Sequence, residues 1–357
     1  MTTSAPVPAL DRDLIARLRF DVIAASWTTD TLETLLSDGA LSALMRDSRL
    51  PALVELAGVT DPAATLTRFF VLGQPERASA LDAALPTLGA AGLETLGLAA
   101  TIDEAEATSA LVVTRGCGKF APKREDAQAG EGASSPKTPT LPTMRDPDEE
   151  APEPEVESDP WMSALYDLRP HAATLPGGDR DWWVTSDPGE MRTGKPLADD
   201  HVMGVGGATR TLLGMTVRES VDSALDLGCG CGIQALYLAT HCGRVVATDL
   251  SARAGALTQF NAALNGAPID VRVGSLFEPV SGESFDLIVS NPPFVITPDT
   301  VRAGAGFHEY RDGGMQRDEL VGALIRSAPD HLAPGGTLQI LANWEIPAGA
   351  DPDGHWS

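Results

Sequence analysis

Basic side chains are scarce in this 357-residue chain: 26 Lys and Arg stand against 50 Asp and Glu, a formal net charge of −24. That deficit opposes loose binding to nucleic acid, whose phosphates need a basic surface, although it leaves room for a small basic groove. Cysteine is also sparse. There are four, three of them within 229–242, which does not suit a secreted disulfide framework. No run of about 18 apolar residues exists, which argues against a membrane span. The opening Met1-Thr2-Thr3-Ser4-Ala5-Pro6-Val7-Pro8 has no basic stretch leading into an apolar one, so no signal peptide is expected. A reducing cytoplasm is therefore the expected location. With 43% hydrophobic residues at this length, the chain is expected to be globular, with two domains that each bury a core.

Residues 1–116 read as a helical N-terminal domain. Leu14, Leu18 and Val22 recur every four residues as one apolar helix stripe. Asp30 followed by Glu33 resembles a capping box, and Asp61-Pro62 reads as a cap with proline in the first turn. Leu98–Thr101 and Ser109–Thr114 suggest two strands flanking an acidic turn. That leaves two readings open, a winged-helix-like module or a generic helical cap. Residues 117–160 hold eight prolines and eleven acidic residues. Such a segment buries too little apolar surface to offset its ordering entropy, so it is expected to be a disordered acidic linker or insertion.

Order is expected to resume at Trp161, giving a second domain over 161–357. Asp181–Asp187 alternates like a strand, with Trp182 and Trp183 packing it onto the core. Strands are then expected near 223–228, 244–249, 269–274, 285–290 and 336–343, and helices near 232–241, 251–264 and 315–332. This alternation predicts an α/β fold with a parallel sheet covered by helices.

Ala224–Gly232 runs from a strand into a glycine turn, and Gly228, Gly230 and Gly232 let backbone N–H groups approach a ligand. Asp226 ends the strand, where a carboxylate can reach the ammonium of an amino-acid cofactor. Asp249 ends the next strand, where a carboxylate can accept ribose hydroxyls. Cys229, Cys231, His241 and Cys242 lack the spacing of a structural zinc site, so no metal is expected. Asn291-Pro292-Pro293-Phe294 follows the fourth strand, beside the switch point of such a sheet. The Asn291 side-chain oxygen and the Pro292 carbonyl can accept the two hydrogens of a planar NH2 group. That aims its lone pair at an electrophile and disperses charge as it builds. Pro292 and Pro293 stiffen the turn, and Phe294 offers a stacking face. His201, His308 and Tyr310 are secondary candidates.

Asp226-Leu-Gly-Cys-Gly-Cys-Gly232 resembles motif I of class I methyltransferases, and residues 200–345 are similar to their nitrogen-methylating branch with the Asn-Pro-Pro-aromatic motif. The resemblance implies a Rossmann-like sheet, S-adenosylmethionine as cofactor, and Ser275, Leu276 and Phe277 beside its adenine. Ser275 stands where that family often has an acid. Asn291–Pro298 and Tyr310–Gly314 are similar to the release-factor glutamine group. They imply a protein substrate such as a translation release factor; the alternative is an exocyclic amine in structured rRNA or tRNA, read through Arg253, Arg302, Arg311 and Arg317. A family sheet has seven strands, whereas this sequence stops soon after the fifth. A truncated product is therefore expected, with an inactive relic acting as a binding protein as a third reading.

Overall fold

The computed structural model describes residues 5–46, 48–115, 159–175, 177–293 and 319–344. The N-terminal part is helical: α1 (Arg12–Ala24), α2 (Thr29–Leu35), α3 (Asp38–Leu44), α4 (Leu50–Glu55), α5 (Pro62–Leu66), a π-helical turn Thr67–Val71, α6 (Ala78–Ala84), α7 (Gly89–Thr95) and α8 (Glu104–Arg115). Asp11 starts α1 by accepting from the N–H groups of Asp13 and Leu14 at 3.0 and 3.1 Å. Ile15, Leu18 and Val22 form its buried stripe. Asp61 caps α5 with Pro62 in the first turn, as expected. At α2 the cap is Thr28, not Asp30. Thr28 has the extended backbone that a cap requires, and Asp30 already lies inside the first turn.

The expected second wing strand is corrected as well. Ser109–Thr114 lies within α8, which Glu104 and Glu106 open favourably for the helix dipole. The small sheet instead has three strands, with β3 (Trp161–Ala164) antiparallel between β1 (Glu76–Arg77) and β2 (Ala99–Ile102). Beyond the acidic segment, the chain thus returns first to the N-terminal sheet. A hairpin follows, β4 (Asp167–Ala173) with β5 (Arg180–Ser186), and then short α9 (Glu190–Thr193) and α10 (Gly207–Met215).

The remainder alternates as the sequence predicts: β6 (Val221–Leu227), α11 (Ile233–Leu238), β7 (Cys242–Asp249), α12 (Ala252–Asn265), β8 (Ile269–Val273), β9 (Phe285–Ser290), α13 (Glu319–Ser327) and β10 (Leu332–Ile340). The sheet is parallel in the order β10-β9-β6-β7-β8, so the direction of winding reverses between β6 and β9. In such a sheet the crevice beyond the strand ends at this reversal is where ligands bind.

One core joins the N-terminal helices and hairpin to one face of this sheet. Ile15, Trp27, Phe69 and Phe70 share it with Trp182, Trp183, Leu257, Phe260 and Leu264. Two asparagines one turn apart on α12 seal the contact. Asn261 exchanges hydrogen bonds with the backbone of Thr185, and Asn265 does the same with Trp183. Their amides stand in for a neighbouring strand along the β5 edge. At the same seam Arg253 and Asp187 form a buried ion pair, their side chains 6% and 7% exposed. Arg253 also donates to the Tyr166 hydroxyl at 2.9 Å, and Tyr166 donates to the Pro6 carbonyl at 2.6 Å.

Candidate functional site

The turn after β6 is built on three glycines with left-handed backbones, φ 76° at Gly228, 55° at Gly230 and 81° at Gly232. Two of them border open space: a Cβ added to Gly228 or Gly230 would meet nothing within 4 Å. At Gly232 a Cβ would come within 2.8 Å of Thr258 Cγ2, so that glycine is required for packing against α12. The turn is pinned from below, where Gly228 and Cys229 donate to the Thr248 carbonyl at 2.8 and 3.0 Å. It is pinned from the side by Asn261, which donates to the Cys231 carbonyl at 2.8 Å.

Both predicted carboxylates flank this turn. Asp249 accepts from the Gly230 N–H and the Ser251 N–H, each at 2.9 Å. Burial raises its pKa, opposed by the backbone N–H groups of Gly230, Ser251 and Leu250. Each Asp249 oxygen keeps a lone pair for a further donor. Asp226 is 1% exposed and accepts from the Ala235 N–H at 2.9 Å. Burial pushes its pKa up to about 7; the Ala235 N–H opposes that rise and the Asp249 charge adds to it.

Asn291 follows the last residue of β9. Ser290 fixes that strand end, donating to the Leu227 carbonyl at 2.7 Å and accepting from the Leu341 N–H at 3.1 Å. The Asn291 side-chain N–H donates to the Thr209 hydroxyl on α10 at 3.3 Å. Its Oδ1 is buried and has no partner among the described residues. A buried amide oxygen without a donor is costly, so it has unused capacity to accept one. Pro292 is buried and Pro293 half-buried. Phe294 lies outside the described residues.

Ser275 and Leu276 sit in the turn after β8, and Leu276 has a left-handed φ of 46°, one of two non-glycine residues with positive φ among the described residues. Phe277 is 5% exposed, and its ring stacks on His331 at 4.5 Å in the apolar cluster that also holds Phe285 and Ile288 of β9. Arg253 is withdrawn from the predicted basic groove by its ion pair with Asp187. His201 is 9% exposed, with its pKa lowered first by burial. Arg302, His308, Tyr310, Arg311 and Arg317 lie outside the described residues. Cys229 and Cys231 are buried, and Cys229 accepts from the Thr258 hydroxyl at 3.3 Å. The sequence reading missed Thr209, Gln234 and Asn261. Of these, only Thr209 carried a signal, a hydroxyl just after the Gly206-Gly207 opening of a helix.

Residues 203–350 match the family described as Methyltransferase small domain. Residues 24–110 match a separate domain of unknown function. The chain is 38% identical over 141 residues to a release factor glutamine methyltransferase of Geobacter sulfurreducens, covering 37% of this chain and 50% of the relative. It is 36% identical over 146 residues to ribosomal RNA small subunit methyltransferase C of Klebsiella pneumoniae, covering 40% and 38%. A solved T. thermophilus 16S rRNA methyltransferase, in complex with AdoMet and guanosine, aligns at 22% identity and a TM-score of 0.33, covering 52% of this chain and 46% of that one. The chain thus spans half or less of the length of these relatives.

The residues of this methyltransferase small domain fit S-adenosylmethionine. The open cradle at Gly228 and Gly230, the buried Asp226 and the Asp249 carboxylate offer donors and acceptors suited to its amino-acid and ribose groups. No helix among the described residues is long and apolar enough to cross a membrane.

Proposed function

We propose that this protein transfers a methyl group from S-adenosylmethionine to a planar NH2 nitrogen, with a protein glutamine side chain as the acceptor. The observation that carries the reading is the Asn291 Oδ1 just after β9, unpartnered among the described residues and across the switch point from the glycine turn. When bound, S-adenosylmethionine supplies an electrophilic methyl carbon. Asp226 and Asp249 hold it by ammonium and ribose, and the turn's backbone admits it closely. Asn291 Oδ1 accepts one hydrogen of the acceptor NH2, which turns the nitrogen lone pair out of conjugation and favours the nitrogen as positive charge develops on it. No strong base is needed, because the methylated nitrogen loses its proton readily to water.

Three observations support glutamine over a nucleobase. The net charge is −24, Arg253 is neutralised inside an ion pair, and Asn291–Pro298 is similar to the glutamine-methylating motif. The ribosomal RNA relatives favour the second reading, an exocyclic base amine. Transfer of labelled methyl into a lysate, followed by protease and nuclease digestion, tests both. Label lost to protease supports glutamine, label lost to nuclease supports a base, and no label with intact cofactor binding points to a binding protein.

A further inference from the structure

An amide that works by its oxygen must be held with that oxygen toward the acceptor. A free asparagine side chain rotates about its last bond and presents NH2 as readily as oxygen. Nothing on β9 prevents this, since Ser290 fixes only the backbone beneath Asn291. The restraint comes from α10. Thr209 accepts from Asn291 Nδ2 at 3.3 Å, and the Thr209 carbonyl in turn accepts from Gln234 Nε2 at 3.3 Å. Gln234 is 4% exposed and lies two residues beyond Gly232, at the start of α11. Leu212, also on α10, belongs to the same buried apolar cluster as Cys229 and Ala235. The helix that holds the amide is therefore itself fastened to the cofactor turn.

From this chain of contacts we infer that Thr209 is a positioning residue. Its hydroxyl holds the Asn291 NH2 away from the acceptor, leaves Oδ1 to receive the acceptor hydrogen, and sets that oxygen in register with the Gly228–Gly232 turn through Gln234. The inference rests on the nitrogen-methylation reading. It assigns a role to a residue that never touches the reacting atoms.

Thr209→Val keeps the branched shape and removes the hydroxyl, and Thr209→Ser keeps the hydroxyl. Labelled-methyl transfer into the protein fraction of a lysate is followed against S-adenosylmethionine concentration. Thr209→Val should lower apparent kcat about 10- to 100-fold, the scale of a misplaced group, with KM for the cofactor unchanged. Thr209→Ser should stay within a few-fold of the parent. A second readout needs no turnover. The side-chain NH2 signals of Asn291 in 15N–1H spectra, assigned by their loss in Asn291→Asp, should shift or broaden in Thr209→Val and persist in Thr209→Ser. Unmoved amide signals in Thr209→Val overturn the inference whatever the rates. Asn291→Ala, run alongside, separates the two claims. If it turns over like the parent, the nitrogen-methylation reading fails. If it is inactive while Thr209→Val is unaffected in both readouts, only the role of Thr209 fails.

Discussion

Replacing Asp226 by asparagine should change how stability depends on pH even with no cofactor in the tube. Asp226 is 1% exposed, and burial lifts its pKa from 3.8 to about 7. Between about pH 4 and 7 the folded protein therefore holds a proton that the unfolded chain has released. Unfolding free energy must fall as pH rises through that window, and this group's contribution levels off above it. A shift of about three units corresponds to about 4 kcal/mol between the two plateaus. Asparagine cannot ionise, so Asp226→Asn lacks this decline. Its new NH2 needs an acceptor and costs about 1–3 kcal/mol at every pH if none is found. The variant should thus gain on the parent from about pH 4 to about pH 7 and then hold that difference, wherever its curve starts. Urea unfolding of both proteins at four pH values, with the difference taken so that other titrating groups cancel, measures this directly. Parallel curves would falsify the claim that Asp226 is buried without a compensating cation. Cofactor affinity should show the converse trend: if its ammonium is held by ionised Asp226, binding by the parent strengthens toward pH 7 and then flattens.

Asp249→Ala should weaken S-adenosylmethionine binding by roughly 1.5–3 kcal/mol, about 10- to 150-fold in Kd by calorimetry, because a charged acceptor is lost. Asn291→Ala should leave that Kd unchanged while turnover falls about a hundred- to a thousandfold, since its oxygen matters chiefly in the transition state. Arg253→Met strands the buried Asp187 carboxylate and should cost about 3–5 kcal/mol in urea unfolding. Adding Asp187→Asn should recover much of that loss, and an additive double variant would show that the pair is not coupled. Deleting residues 121–157 should leave the melting temperature nearly unchanged, and a large fall would mean that the segment packs on the rest.

Much of the sheet was legible because its strands are short apolar runs, three of them (β6, β7 and β8) ended by glycine or aspartate, and each lies within a few residues of its expected place. The placement of Asp226, Asp249 and Asn291 was legible for a related reason: each lies at or beside a strand end on the side where such sheets bind ligands, while their roles are proposals. Ser109–Thr114 was misread: it has the β-branched composition of a strand, but acidic residues at 104 and 106 start a helix that carries through it. The burial of the Phe277 ring was not legible, because it depends on stacking against His331, far away in sequence. The partners of Thr209 and Asn261 were beyond reach, even though Thr209 stood out as a hydroxyl just after Gly206-Gly207. Thr209 lies 82 residues from Asn291, and Asn261 lies 76 from Thr185, so only the folded arrangement gives these polar side chains their partners.

The place of β3 changes what the acidic stretch before it can mean. The chain departs at α8 and, at Asp159, is bound again to the N-terminal part, where Asp159 accepts from the Ser79 N–H at 2.9 Å and β3 slots between β1 and β2. Departure and return thus lie at one small sheet, and the parallel sheet is joined to the N-terminal helices elsewhere, through the α12 seam. Both points, where the described chain breaks off and where it resumes, are anchored on that small sheet and its neighbouring helices, so the path from β3 through the hairpin to α12, and on to Asn291, starts from a fixed point.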